Sequence, residues 1–267
     1  MLAGQRQSAI LALVQESGAV RVADLVDHLG VSDMTVRRDI EQLARDGRVE
    51  RVHGGALAVG LASAHEPGFL AKSSLMTAEK RAIARRAAEL VEPGSAIGIS
   101  AGTTTYEVAR LLRGIPDLTV VTNSVPVAQL LHESPTEGQR VVLTGGVRTP
   151  SDALVGPVAV TALRTLHVDR LFLGAHGIDA KAGLTTPNLV EAETNRALVA
   201  SARQVCIVAD HTKWGVVGLS TFIDLPDVDL LITDDGLSAR ARAALVEQVD
   251  PLIVAKVGRR PRDRQLG

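Results

Sequence analysis

The segment GISAG, residues 98–102, has the G-x-S-x-G spacing that places a reactive serine on a sharp turn between a strand and a helix. Its flanks fit such a turn, because an apolar run precedes Ser100 and an amphipathic helical pattern follows it. The triplet HGG at 53–55 resembles the oxyanion loop of many esterases. Taken alone, these residues would make Ser100 the nucleophile of a hydrolase.

The order of the elements argues against that chemistry. In α/β-hydrolases several strands precede the serine turn, and the acid and the histidine follow it in that order. Here the strand that ends at Ser100 is the first clear strand of its sheet, and at least two strands follow the last histidine, His211. We therefore expect Ser100 to be inert. The sequence contains no G-x-G-x-x-G, Walker, H-E-x-x-H or paired-cysteine motif, so we expect no catalytic residue, cofactor or metal.

A second kind of chemistry lies at the ends of the predicted strands, where parallel sheets bind ligands. Small, hydroxylated or charged residues follow almost every strand. They are Ser100–Thr105, Thr122–Ser124, Thr144–Gly146, Gly174–Gly177, Asp210–Lys213 and Thr233–Gly236. Loops are polar in general, but the coincidence across all of these strand ends predicts one shared polar pocket.

The strongest anion site in the chain is Gly102 followed by Thr103, Thr104 and Thr105 at a helix start. Backbone N–H groups, the positive end of the helix dipole and three hydroxyls meet there. A simple threonine N-cap explains the same loop about equally well when it is considered alone.

Other polar residues at the strand ends complete the predicted pocket. Lys213 can supply a countercharge, and Asn123 can bridge ligand hydroxyls. Glu191 and Glu193 can accept hydrogen bonds from a sugar, or one or both can be ordinary surface carboxylates.

The elements that position this pocket alternate between strand and helix from residue 77 onward. Apolar runs predict strands at 96–100, 118–122, 140–144, 168–175, 204–209, 228–233 and 252–257. Helical patterns lie at 78–91, 104–113, 124–133, 155–166, 190–202 and 236–247. This alternation predicts an α/β domain with a mostly parallel sheet covered on both faces.

Residues 1–57 follow a different pattern: three short helices and then an alternating segment broken at Gly54-Gly55. Gly30 closes the second helix, and Ser32 is a suitable N-cap for the third. We interpret this region as a winged helix-turn-helix built mainly of helices, with a hairpin tip at the two glycines.

The third helix has a buried stripe of Val36, Ile40 and Leu43, which fixes its outward face at 100° per residue. The residues expected to contact DNA are Ser32, Met34, Thr35, Arg37, Arg38, Gln42, Arg51 and His53. Arginines on a helix surface are common, and residues 1–57 hold seven basic and eight acidic residues, so an ordinary solvated face is the alternative. The joint occurrence of the two helices, the turn and the wing favours a DNA-binding role for this face.

Composition narrows the class of protein. The net charge of −1 and the 2% aromatic content disfavour general nucleic-acid or single-strand binding, so duplex DNA is the expected partner. No stretch is long and apolar enough for a membrane span or signal peptide, and we expect a cytoplasmic protein. The single cysteine, Cys206, lies in an apolar run and is expected to be a buried thiol. Residues 58–76 are interpreted as a linker, 77–258 as the second domain and 259–267 as a basic tail.

An ordered series of motifs identifies the chain as similar to the DeoR family of bacterial transcription regulators, from about residue 5 to 257. The motifs are LGVSDMTVRRDIEQLARDGRVERVHGGA, AGTTTYEVA, VVTNSVPVA, LTGG, ALVGP, FLGAHGIDAKAGLTTPNLVEAE, VADHTKWG and LITDDG. The resemblance implies a winged helix-turn-helix joined to a sensor domain that resembles sugar-phosphate isomerases. Such proteins are typically repressors released by a phosphorylated sugar or polyol.

The resemblance also implies where the effector binds. The phosphate is expected at Gly102, Thr103 and Thr104, with Asn123, Gly145, Gly146 and Lys213 nearby. Many relatives carry aspartate at position 100 and often Asp or Asn at position 176. Ser100 and His176 depart from that pattern in the expected pocket.

The function predicted from these observations is a repressor of a carbohydrate-utilisation operon. One alternative is an isomerase in which Lys213 and one of Glu191, Glu193 or Asp210 transfer protons. An isomerase has no use for the DNA-binding module. A second alternative is an activator, or a sensor of an unphosphorylated ligand. A two-fold operator implies at least a dimer.

Overall fold

A computed structural model describes residues 2–17, 19–52, 55–58 and 68–258 of the 267-residue chain. The chain divides into two compact units, residues 1–72 and 73–267. His53 and the tail at 259–267 lie outside the described residues.

The first unit contains three helices and a small antiparallel sheet. The helices are α1 (Ala3–Ser17), α2 (Val22–Leu29) and α3 (Asp33–Arg45), and the strands are β1 (Ala19–Arg21), β2 (Val49–Val52) and β3 (Gly55–Ala58). The strand order is β1-β3-β2. The winged helix-turn-helix predicted from the sequence is confirmed, and β1 makes its sheet three-stranded.

Local signals set the turn between α2 and α3. Gly30 adopts φ 66° after α2, and its N–H donates to the Val26 carbonyl oxygen over 2.9 Å. Ser32 caps α3, since its Oγ accepts a hydrogen bond from the Thr35 N–H over 3.3 Å. The apolar stripe of α3 packs on α1, α2 and the sheet; Val36, Ile40 and Leu43 are all at most 2% exposed.

Two sequence interpretations in this region need correction. Gly55 is the first residue of β3, where it pairs with Val52 and Arg21, and does not itself lie in the hairpin connection; Gly54 lies outside the described residues. A Cβ atom at position 55 would lie 2.1 Å from the Val20 carbonyl oxygen, so the glycine permits close approach of β1. The predicted linker 58–76 begins with the last residue of β3 and contains a short helix, α4 (Phe69–Ser73); residues 59–67 lie outside the described part.

The second unit is an α/β domain. Its helices are α5 (Thr77–Ala88), α6 (Thr103–Leu112), α7 (Val125–His132), α8 (Pro157–Leu163), α9 (Leu189–Ala200) and α10 (Ala239–Val246). The strands of its main sheet are β4 (Ala96–Ile99), β5 (Thr119–Thr122), β6 (Arg140–Leu143), β9 (Arg170–Leu173), β12 (Val205–Val208), β14 (Leu230–Asp234) and β15 (Leu252–Ala255). The smaller strands are β7 (Val147–Arg148), β8 (Leu154–Val155), β10 (Gly177–Asp179), β11 (Gly183–Thr186) and β13 (Ser220–Ile223). Short 3₁₀ turns lie at His211–Lys213 and Leu225–Asp227.

The seven main strands form one parallel sheet in the order β15-β14-β12-β9-β4-β5-β6. All seven predicted strands are confirmed. The sequence did not predict the β7-β8 pair or the antiparallel sheet β10-β11-β13, whose strands are two to four residues long.

Alternate side chains of the strands bury two separate cores. Leu171 and Leu173 of β9 pack with α8, α9 and α10, whereas Phe172 packs with α5, α6 and α7 on the opposite face. Burying one such side chain contributes about 1.5–3 kcal/mol. Both faces of the sheet are covered, as the apolar strand runs predicted.

The chain reverses its direction across the sheet next to β4. It proceeds from β4 to β5 and β6, and then returns to β9 on the other side of β4. Ligands of such sheets bind where this reversal separates two neighbouring strand ends. We call the shared carboxyl ends of the seven strands the carboxyl edge.

Candidate functional site

The outward face of α3 carries two side chains that reach into solvent. Met34 is 73% exposed, and Arg38 is exposed one turn later. Among the described residues, no carboxylate or other hydrogen-bond acceptor engages the Arg38 guanidinium. Met34 therefore presents an apolar group and Arg38 a cationic group on the helix surface, as the helical geometry predicted.

The other two arginines predicted to contact DNA are paired within the unit. The Arg37 guanidinium donates to both carboxylate oxygens of Asp33, over 2.5 and 3.2 Å, and these hydrogen bonds raise the pKa of Arg37. Arg51 of β2 lies 2.8 Å from the Glu41 carboxylate of α3. Both pairs are about half exposed, so water and salt screen each attraction and either arginine can exchange its carboxylate partner for a phosphate.

Three further predicted DNA contacts have hydrogen-bonded side chains. The hydroxyls of Ser32 and Thr35 bond each other over 2.8 Å at the start of α3. The Gln42 amide donates to Asp46 and accepts from Arg45, each over 2.9 Å.

A buried ion pair holds α3 against α1 and was missed from the sequence. Asp39 is 5% exposed and accepts hydrogen bonds from Arg6 over 2.5 and 3.2 Å and from Gln7 over 3.3 Å. The partners lie more than 30 positions apart, so local spacing gives no signal of the pair.

At the carboxyl edge, α6 begins directly after β4 with Gly102 as its N-cap. The N–H groups of Thr103, Thr104 and Thr105 meet no acceptor among the described residues, and no side chain caps them. Gly102 and Thr103 are partly exposed, so a ligand can reach these donors. The ten-residue helix adds the positive end of its dipole to the same place.

The three threonines are not equivalent. Thr105 is fully buried, and its hydroxyl donates to the Gly102 carbonyl oxygen over 3.0 Å. It therefore shapes the turn and turns its hydroxyl away from the surface, which corrects the expectation that all three hydroxyls face a ligand. Thr104 is 7% exposed, and Thr103 is the most accessible of the three.

Asn123 fixes the loop rather than presenting its side chain to solvent. It is 1% exposed, its Oδ1 accepts from the Ala101 N–H over 2.8 Å, and its Nδ2 donates to the Leu154 carbonyl oxygen over 3.2 Å. The amide thus ties the end of β5 to the loop before α6 and to β8. The prediction that it bridges ligand hydroxyls is not supported by this placement.

The remaining loops of the edge are accessible. Gly145 and Gly146 follow β6 with φ of 73° and 122°, and both are at least partly exposed. His176 follows β9, the strand on the other side of the chain reversal, and is half-buried.

Lys213 lies on the 3₁₀ turn that follows β12. Asp210 caps this turn with a buried carboxylate that accepts from the N–H and the hydroxyl of Thr212. Lys213 is partly exposed, and its ammonium has no acceptor within the described ranges. Because β9 alone separates β4 from β12, the carboxyl ends of these two strands lie about 10 Å apart, at two strand spacings.

The two glutamates of α9 differ in position. Glu191 is half-buried in the first turn of the helix, and its own N–H donates to Oδ1 of the capping Asn188 over 3.2 Å. Glu193 is exposed and lines a groove of about 340 Å³ between α8 and α9, together with Arg164 and His167. Glu193 is thus the one that matches the surface-carboxylate alternative.

Ser100 is 2% exposed, and its hydroxyl accepts a hydrogen bond from the Gly174 N–H over 3.1 Å. Its second contact is a long one, 3.4 Å to the Ala101 carbonyl oxygen. No histidine accepts a proton from it among the described residues. The side chain links the ends of β4 and β9, which is a structural role.

We expect a fluorophosphonate that labels activated serines to leave the protein unmodified, because no base in the described part of the chain touches Ser100. Intact-mass measurement after incubation checks this, with a serine esterase as the positive control. A covalent adduct that maps to Ser100 would contradict the structural role.

Other chemistry is limited in the described part of the chain. Cys206 is buried, and its burial raises the thiol pKa to about 12, so it is an inert core residue there, as predicted. Within the described ranges, no cluster of His, Cys, Asp and Glu suits a metal ion. None of the helices in those ranges has the length and apolar character needed to span a membrane.

Comparison with known sequences accounts for both units. Two family models match: the DeoR-like helix-turn-helix domain at residues 6–60 and the DeoR C terminal sensor domain at residues 75–235. The HTH-type transcriptional regulator GlpR of Haloferax volcanii is 40% identical over 97% of this chain and all of its own length. Regulator YgbI of Escherichia coli K12 is 39% identical over 96% of this chain and 99% of its own. The glycerol-3-phosphate regulon repressor of the same strain is 35% identical over 86% of this chain and 90% of its own.

A solved ribose-5-phosphate isomerase in complex with phospho-erythronic acid aligns with 51% of this chain and 52% of its own, at 18% identity and a TM-score of 0.38. That score is too low to support a functional comparison. The family matches cover both units, and the relatives extend over almost the whole chain. The chain therefore belongs to the DeoR family of helix-turn-helix transcriptional regulators.

Proposed function

We propose that this protein represses a carbohydrate-utilisation operon and releases its operator when a small phosphorylated sugar or polyol binds at the carboxyl edge. The observation that carries the effector site is the start of α6. Among the described residues, its first N–H groups meet no acceptor and the Lys213 ammonium, two strands away, has no partner. The helix start also lies at the chain reversal. Donors and a cation at these positions suit a phosphate.

The proposed phosphate contacts are the backbone of Gly102, Thr103 and Thr104 and the ammonium of Lys213. Gly145, Gly146 and His176 line the space in which the sugar portion would lie, and Glu191 can accept its hydroxyls. Thr105 and Asn123 hold the loops in place behind these residues.

DNA recognition is proposed for the exposed face of α3 and the adjacent β2. Met34 and Arg38 read bases, while Arg37 and Arg51 leave their carboxylate partners to contact phosphates. Ser32, Thr35 and Gln42 complete the contact face, and His53 is proposed from its place in the sequence. Binding to a two-fold operator calls for at least a dimer, so we propose a homo-oligomer in the cytoplasm.

We propose that the sensor unit has no isomerase activity. The Asp210 carboxylate, one candidate base, is 2% exposed and engaged by Thr212, and Glu193 lines a separate groove. Neither of these two carboxylates is therefore available beside Lys213 for proton transfer, and Glu191 is proposed to bind sugar hydroxyls instead.

The fluorescence of Trp214, the only tryptophan in the sequence and the neighbour of Lys213, can be used to identify the effector. Titration of a panel of sugar phosphates and polyol phosphates should change its fluorescence saturably for one compound, with the unphosphorylated parent silent. The same compound should release the protein from a duplex selected from a random-sequence pool. Response to the unphosphorylated parent alone, or conversion of the compound into an isomer, would contradict the proposal.

A further inference from the structure

Behind Lys213 lies a buried carboxylate that no part of the proposed function has used. Asp234, the last residue of β14, is 1% exposed. Its Oδ1 accepts from the His211 N–H over 2.7 Å, and its Oδ2 accepts from His211 Nδ1 over 2.7 Å and from the Gly236 N–H over 2.9 Å. Burial alone would raise the pKa of Asp234, but the hydrogen bonds from His211 and Gly236 outweigh it and lower the pKa.

These contacts define the state of the histidine. An ionised carboxylate only accepts hydrogen bonds, so Nδ1 of His211 carries a proton. His211 is thus bound to the Asp234 carboxylate twice, through its main-chain N–H and through its ring. Two bonds from one residue to one carboxylate fix both the position and the rotation of the ring.

The ring also lies flat against Gly236. A Cβ atom at position 236 would be 2.4 Å from His211 Nδ1 and 2.7 Å from Cγ. Any larger residue would therefore clash with the imidazole and disturb its contact with the Asp234 carboxylate. We call Asp234, His211 and Gly236 the β14 anchor.

The turn that carries Lys213 is held on its other side as well. The Gly215 N–H donates to the Ile178 carbonyl oxygen of β10 over 2.8 Å, and Trp214 packs against the core beneath α9 and α10. Lys213 stands between these two attachments and is partly exposed. A lysine has four rotatable bonds, so the backbone beneath it must be fixed for its ammonium to be held near one point.

We propose that Asp234, acting through His211, is a positioning residue that holds the turn 210–213 so that Lys213 faces the effector phosphate. This rests on the proposed effector site. Asp234 does not touch the ligand; its hydrogen bonds to His211 hold the turn on which Lys213 lies. The signature in the sequence is an Asp-x-Gly at the end of β14, opposite the Asp-His at the end of β12.

The test replaces Asp234 by asparagine in the full-length protein and uses Asp235→Asn as the matched control. Asp235 is exposed at the same strand end and accepts only from the Val257 N–H among the described residues. Two readouts are measured: acrylamide quenching of Trp214 without ligand, and the affinity for inorganic phosphate from the fluorescence of Trp214. We expect Asp234→Asn to raise the quenching constant about twofold and to weaken phosphate binding about tenfold, with Asp235→Asn close to wild type.

Three further variants separate positioning from general damage. Gly236→Ala leaves the Asp234 carboxylate unchanged and adds a methyl group that clashes with the His211 ring, so it should reproduce both changes even if Asp234→Asn does not fold. His211→Asn keeps a donor near the position of Nδ1, so it should recover most of the phosphate affinity, whereas His211→Ala should not.

Wild-type quenching and phosphate affinity in both Asp234→Asn and Gly236→Ala would overturn the proposal. The quenching can change as expected while the wild-type protein binds no phosphate at concentrations that saturate a known phosphate-binding protein. In that case the proposed effector site is wrong, and the role assigned to Asp234 is wrong with it. A loss of affinity without any change in quenching would also overturn positioning, since the turn would then be unmoved.

Discussion

Replacement of Lys213 by methionine should weaken binding of the cognate sugar phosphate by about 10- to 150-fold. The reason is the loss of a charge-assisted hydrogen bond, which is worth about 1.5–3 kcal/mol. Methionine keeps the length and apolar stem of the side chain, so the turn and its anchor remain. Operator affinity without effector should stay at the wild-type value, which makes the variant a repressor that the effector no longer releases.

The matched control for this result is Lys256→Met. Lys256 is exposed directly after β15, four strands from β4 on the same carboxyl edge. Its replacement removes the same charge without approaching the proposed phosphate. Effector titrations followed by Trp214 fluorescence and operator release should distinguish the two variants; equal behaviour would show that Lys213 acts only through net charge.

Replacement of Arg38 by alanine should cost about 1–3 kcal/mol on the operator and relax the preference at one base pair. Arg38 is exposed on α3, and no acceptor among the described residues must be given up when it reaches a base edge. A bidentate contact from arginine to guanine is the expected one. Fluorescence anisotropy on the operator and on every single-base variant of it measures both effects.

Arg37→Ala is the informative comparison for Arg38. The Arg37 guanidinium is paired with Asp33, so a contact from it to a DNA phosphate replaces this existing ion pair. We expect Arg37→Ala to weaken all duplexes about equally and to lower the slope of log affinity against log salt by about 1. Wild-type operator affinity and salt slope in both variants would show that α3 is not the reading helix.

The framework of the fold followed from local patterns. Each main strand is a short apolar run ended by a polar loop, and the position of Gly102 before three threonines predicted the start of α6. The stripe of Val36, Ile40 and Leu43 predicted which side of α3 is buried. These features depend on neighbours a few residues apart, which a sequence displays directly.

The roles of individual side chains depended on distant partners. Thr105 and Asn123 were predicted to face a ligand, but both hydrogen bond the backbone of the loop that presents α6. His211 and Asp234 are 23 positions apart and meet only because β12 and β14 are adjacent. Arg6 and Asp39 meet for the same kind of reason, through the packing of α1 on α3.

The most direct measurement of the central claim is calorimetric titration of the cognate sugar phosphate into the protein, first free and then saturated with operator duplex. If the effector at the carboxyl edge releases DNA, it must bind more weakly to the DNA-bound protein, by the same factor as it weakens DNA binding. We expect a factor of about 5–150, which corresponds to 1–3 kcal/mol of coupling. Equal effector affinity in the two states would contradict the account, because the two sites would then be independent.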